Sequence, residues 1–295
     1  MTYFELCGHT VIPSLDGCEG KLRWAKRHLK ALDDQIALAA GLHKHVITVE
    51  NDPGTSEYVF KVTGLHPSDA DWGYLAGDCI HNLRSALDHL VFQLAILALG
   101  RDLTDDEARS CMFPIHANAD SFKSAAKGRT KLLRSGEQTR IEELQPFNAS
   151  DTSIWPPRPG YLPGVPAPVP SLLGRLEALD VIDKHRLVHA TWRAAEWFNA
   201  EQPPIALIGS TTFAGALEDN AEVGRWHYSL PRPELPADMD MDRYFPIGVA
   251  LGEPPYMSGA VELLGLLVSA VEVVVGAFRP CITAGLPATP VSALV

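Results

Sequence analysis

Cysteine is scarce in this sequence: Cys7, Cys18, Cys79, Cys111 and Cys281 stand far apart, with no CxxC pair among them. An odd number at such spacings argues against a disulfide framework and suits a reducing cytoplasm. Glycine-rich phosphate loops, dinucleotide fingerprints, GxSxG elbows and HExxH motifs are absent. Nucleotide-cofactor, serine-hydrolase and zinc-protease readings lose their usual support. The first 13 residues lack a basic stretch followed by a long apolar run, so they are expected to belong to the mature fold and not to a secretory signal.

Positive charge is also in short supply. Lys and Arg total 25 against 36 Asp and Glu, a net charge of −11, which argues against broad, nonspecific nucleic-acid binding. The cations gather in two clusters, Lys21, Arg23, Lys26, Arg27 and Lys30, then Lys123, Lys127, Arg129, Lys131, Arg134 and Arg140. The most apolar stretch, residues 260–278, has the length of a membrane span but carries Glu262 and Glu272, each costly at bilayer depth. A buried core helix is expected there, and no membrane partner.

The sequence does hold strong helical periodicity. Leu22, Ala25, Leu29, Leu32, Ile36 and Ala39 recur at spacings of three and four, predicting a helix over residues 17–42 with one buried face. Residues 46–49 and 58–62 flank Asn51-Asp52-Pro53-Gly54 and read as a hairpin. A second long helix is expected from Ser68 or Asp69 to Leu99, stopped by Gly100. Shorter helices follow near 104–110, 119–126 and 136–145, broken by Pro114, Gly128, Gly136 and Pro146. A proline-rich stretch, 155–170, reads as an extended loop.

A third long helix is expected over 171–199, strands over 205–209, 225–230 and 244–251, and a last helix over 258–278 that ends before Pro280. The sum is an α+β fold, mainly α: about four long helices in a bundle flanked by a small antiparallel sheet. A single domain over 1–295 is expected. It divides into a helical and hairpin part (1–154), the proline-rich loop (155–170) and the remainder (171–295).

The second long helix carries the main candidate site. At about 100° per residue, Ile80, Leu83, Leu87, Leu90, Val91 and Leu94 gather on one side. The opposite side holds Asp78, Asn82, Ser85 and His89 in a row, with His81 and Asp88 beside it and Arg84 on one flank. Solvated helix faces favour Lys, Glu and Gln; this one uses His, Asp, Asn and Ser, which lower helix propensity and can do chemistry.

Arg84-Ser-Ala-Leu-Asp-His89 places an Arg and a His with four residues between them within one helix. The spacing resembles the signature of the HEPN superfamily, helical proteins of which many are metal-independent ribonucleases in toxin and defence systems. The resemblance covers about a tenth of the chain. It implies a homodimer in which the paired Arg and His cleave RNA through attack of the ribose 2′-hydroxyl on the adjacent phosphate. His89 would be general acid or base, Arg84 would stabilise the crowded phosphorane, and Asn82 or Asp88 would orient them. Lys123, Lys127, Arg129, Lys131 and Arg134 would contact the RNA, with no cofactor. The match departs from the family in placing Ser85 directly after the Arg and the motif on an early helix.

Two alternatives compete with that expectation. One is a noncatalytic binding or regulatory protein with a protein partner, its polar residues structural. The other is a divalent-metal enzyme of helical-bundle type, with Asp78, His81 and His89 facing Asp183, His185 and His189. In that reading His185 and His189 share a helical face with Trp192 and Glu196. An ion-pair network between Asp183 and Arg186 or Arg84 is the structural explanation of the same residues.

Overall fold

Apolar residues at helical spacing build the two longest elements, α1 (Asp16–Leu42) and α2 (Ala70–Leu99), which lie against each other. In this computed structural model the described residues are 12–42, 44–65, 70–148, 169–194, 205–213, 215–245, 247–251, 258–285 and 288. Ile80, Leu83, Leu87, Leu90, Val91 and Leu94 of α2 are all fully buried, as their periodicity requires. Gly100 then takes φ +67, a left-handed value that ends α2.

Strands β1 (Val46–Asp52) and β2 (Glu57–Thr63) form the expected hairpin. Helices α3 (Asp105–Ser110), α4 (Ala119–Arg129) and α5 (Ser135–Glu143) follow. Thr104 and Glu107 close a capping box on α3, and Asn118 caps α4. Gly128 and Gly136 lie inside α4 and α5 and do not break them. Residues 155–168 of the expected proline-rich loop lie outside the described residues, and Val169 and Pro170 already belong to the next helix.

That helix, α6 (Val169–His185), ends well before the expected residue 199. Residues 190–194 are instead strand β3 (Ala190–Ala194). The reason is tertiary: β3 pairs with β6 (Ile247–Leu251), setting Trp192 opposite Val249, and the Trp192 ring packs edge-on against Trp72 at the start of α2. Pairing and burial override local helix preference there. Strands β4 (Gly209–Thr212) and β5 (Glu222–His227) fall a few residues from their expected positions.

Two antiparallel sheets result. The first has the order β1-β2-β5-β4; the second is β3-β6-β7, with β7 (Ser258–Gly259) leading into α7 (Ala260–Ala284). Helix α7 runs through Pro280, contrary to the expected stop. A helical proline forfeits one N–H bond and crowds the carbonyl of Gly276 four residues back, a cost offset here by the burial of Val274, Val275, Ala277, Phe278 and Cys281 around it. Gly285, at φ 64, caps the helix.

Among the described residues α7 is the one helix long and apolar enough to cross a membrane, yet it is a core helix. Leu263, Leu264, Leu267, Val268, Val271, Val274, Val275 and Phe278 are buried, and it packs against α1, α2 and α6. The fold is α+β and mainly α, with buried side chains from its helices and both sheets joined in one cluster.

Candidate functional site

The polar residues of α2 divide into two groups that face different ways. Arg84 is displaced by only about 40° from Ile80 on the helical wheel, so its side chain enters the core margin and is 5% exposed. Its guanidinium donates to Asp88 Oδ1 at 3.0 Å and to the Phe113 carbonyl at 2.7 Å. From α6, Glu177 Oε2 stands 3.3 Å and Asp180 Oδ2 3.9 Å from Arg84 Nε. Asp88 also accepts from the Phe113 N–H at 2.8 Å. One arginine therefore ties α2 to α6 and to the segment after α3.

The clamp is rich in carboxylate. Asp180, 1% exposed, also holds Lys184, while its Oδ1 has no hydrogen-bond partner. The Glu177 contact is close in distance but lacks hydrogen-bond geometry, so Glu177 Oε2 is orphaned as well. Burial pushes the Asp88 carboxyl above its ordinary range despite the pull of Arg84 and the Phe113 N–H. Two turns before Arg84 on the same side of α2, Asp183 sits directly over Gly77, where a Cβ would fall 2.1 Å from Asp183 Oδ1. Burial raises the Asp183 carboxyl too, and Asp180 adds to the rise.

The second group faces solvent. Asp78, His81 and His89 are exposed, with Asn82 and Ser85 half-buried between them. His81 Nε2 lies 3.5 Å from Ser85 Oγ, a long contact. Helix α1 runs beside this row, and two contacts fix its register. Gly17 meets the His89 ring, where a Cβ would fall 2.7 Å from Nδ1, and His28 Nδ1 stands 3.8 Å from Asp78 Oδ2. Lys21 and Trp24 fall between Gly17 and His28 on the same face of α1, at spacings of four, three and four. That register sets them level with Ser85 and His81 on α2.

Sequence reasoning had missed Trp24 and His28 as members of the site. Trp24 is 52% exposed. The Arg27 guanidinium lies 4.8 Å from its ring centroid, and the His28 ring stands 6.0 Å away. The spacing Lys21-Trp24-His28 was a readable signal of one helix face, but the antiparallel contact with α2 was not.

Arg84 and His89 do not converge within the chain: one points into the core toward α6, the other toward the start of α1. The expected metal ligands are also dispersed. Asp78, His81 and His89 lie on the seam, Asp183 is over Gly77, and His185 and His189 are exposed. His189 lies beyond the end of α6, so it shares no helical face with His185, and Glu196 lies outside the described residues. Among the described residues no group of three or more His, Cys, Asp and Glu side chains is arranged to hold a metal ion.

The second basic cluster is separate from the seam. Lys123, Lys127, Lys131 and Arg134 are exposed and Arg129 is half-buried, on α4 and the turn into α5. Arg134 donates to the Leu97 carbonyl at 3.0 Å. His116 carries a buried Nε2 without a partner; burial first, then the charges of Arg129 and Arg84, lower its imidazole below the ordinary range. Arg129 therefore lies near the segment after α3 that Arg84 also reaches. Comparison with protein-family models, curated proteins and solved structures finds no match for the chain.

Proposed function

We propose that this protein is a noncatalytic binding or regulatory protein, whose binding face is the α1–α2 seam and whose Arg84 is structural. The observation that carries this reading is the Arg84 clamp. An arginine that stabilises a phosphorane must reach the reacting phosphate, and this one is 5% exposed with a carbonyl and three carboxylates around it. The four described cysteines, all free and buried, suit a cytoplasmic location.

The HEPN-like ribonuclease is the second reading, and one observation favours it. His89 and His81 are both exposed on the seam, so two imidazoles are available as acid and base. In that reading a homodimer would have to supply the charge that Arg84 does not present.

An RNA-cleavage assay in EDTA separates the two. The binding reading expects no cleavage by the wild-type protein, by Arg84→Ala or by His89→Ala. Cleavage in EDTA that His89→Ala abolishes while its fold persists would overturn the binding reading in favour of the ribonuclease.

A further inference from the structure

Five cations lie between residues 21 and 30 of α1, and among the described residues two of them pair with carboxylates. Lys26 binds Glu272 of α7 at 2.6 Å and Lys30 binds Asp34 at 2.7 Å. Among the described residues Lys21, Arg23 and Arg27 have no carboxylate partner. In a chain of net charge −11, three unneutralised cations around one exposed tryptophan form a local anion-attracting surface.

Chemistry beside them narrows the ligand. Trp24 presents a large π-surface with the Arg27 guanidinium over it. The seam next to it offers His28, His81, Asn82 and Ser85, side chains that exchange hydrogen bonds with sugars and base edges. A folded protein partner wants a desolvated apolar centre, and the exposed aromatics here are Trp24 and, one turn before Asp78 on α2, Tyr74, amid polar side chains. Aromatic rings interleaved with cations suit a strand of unpaired bases on a phosphate backbone.

We infer that the exposed face of α1 beside the α2 seam binds single-stranded nucleic acid, with Trp24 stacking on a base and Lys21, Arg23 and Arg27 contacting phosphates. The acidic groups Asp78 and Asp183 keep the backbone on the α1 side, so the strand follows α1 from Gly17 toward His28, about 16 Å at 1.5 Å per residue. This inference rests on the binding reading and names its ligand.

The test is fluorescence anisotropy with labelled rU12 and dT12 in EDTA, at 50 and 200 mM salt, using the full chain. Three phosphate contacts predict a slope of about −2 in log affinity against log salt, roughly a twentyfold loss between those concentrations. Trp24→Ala should weaken binding about tenfold and Trp24→Phe, which keeps a stacking ring, about threefold or less. Arg27→Gln should flatten the salt slope by about 0.7. Equal binding of both oligomers identifies bases and phosphates as the ligand chemistry, and preference for rU12 identifies RNA.

Absence of salt-sensitive binding would overturn the inference, as would a Trp24→Ala variant that binds like wild type. So would a duplex that binds as well as dT12, or polyglutamate that competes as well, the second result pointing to an acidic protein. Failure here with RNA left uncut removes this ligand and spares the binding reading. Cleavage of rU12 in EDTA removes the noncatalytic reading, while the dT12 series still decides the role of Trp24.

Discussion

Replacing Arg84 with alanine should destabilise the protein severely without any ligand being involved. The substitution strips the Arg84 guanidinium from a site holding Asp88, Glu177 and the 1%-exposed Asp180, and it takes away the donor to the Phe113 carbonyl. Breaking a buried ion pair from one side costs about 3–5 kcal/mol. Lys184 still neutralises part of the charge on Asp180, which places the expectation at the lower end of that range. Against a total stability of about 5–15 kcal/mol, this is a large fraction.

Urea unfolding followed by circular dichroism reads the loss as a lower midpoint at unchanged slope. Acidity gives a second readout. Asp88 already sits above its ordinary range through burial, and removing Arg84 takes away a charge that pulls it down. Its folded pKa rises further above the unfolded value, so the folded variant binds protons more tightly than the unfolded one. Ionisation then opposes folding, and the deficit is widest near neutral pH and shrinks as pH falls toward the carboxylate range. Arg84→Met combined with Glu177→Gln and Asp180→Asn should recover at least half of the loss, because two of the three carboxylates are then neutral and Asp88 keeps the Phe113 N–H. A loss below about 1 kcal/mol for Arg84→Ala, or a deficit that grows with acid, refutes the clamp.

Asp183→Asn should stabilise the protein at neutral pH by about 1–2 °C in Tm. The Asp183 carboxyl is raised in the fold, so its charge weakens folding once pH exceeds the unfolded carboxylate range, and the gain should vanish near pH 4. A gain that is larger in acid contradicts this assignment. Burial pushes the Cys18 and Cys79 thiols up to about 12, and Cys111 and Cys281 are also raised and buried. In a Cys7→Ser background, a thiol reagent at pH 8 should label nothing until denaturant is added. One rapidly labelled equivalent in the native protein would contradict that packing.

The long helices and the first hairpin were legible because their signals are local. Spacing, caps and turn residues all lie within the segment they specify. Strand β3 was not legible, because what removes Thr191 and Trp192 from the helix is a pairing with Ala250 and Val249 and a ring contact with Trp72. No window around residue 190 contains those partners. The stripe on α2 was visible as a set of residues, but its division was not. An arginine at the margin of an apolar face can turn either way, and Glu177 and Asp180 on α6 decide the direction here.

Strand order carries a further consequence, one of timing. In the first sheet β2 pairs on one side with β1, immediately before it, and on the other with β5, some 160 residues later. Chain synthesis runs at about 5–20 residues per second, so the second edge of β2 waits roughly 8–30 s for its partner. During that interval Tyr58, Phe60 and Val62, all buried in the finished fold, lie on a strand with an open row of backbone groups. Chaperone occupancy during translation should therefore concentrate on this hairpin, and end when residues 222–227 leave the ribosome.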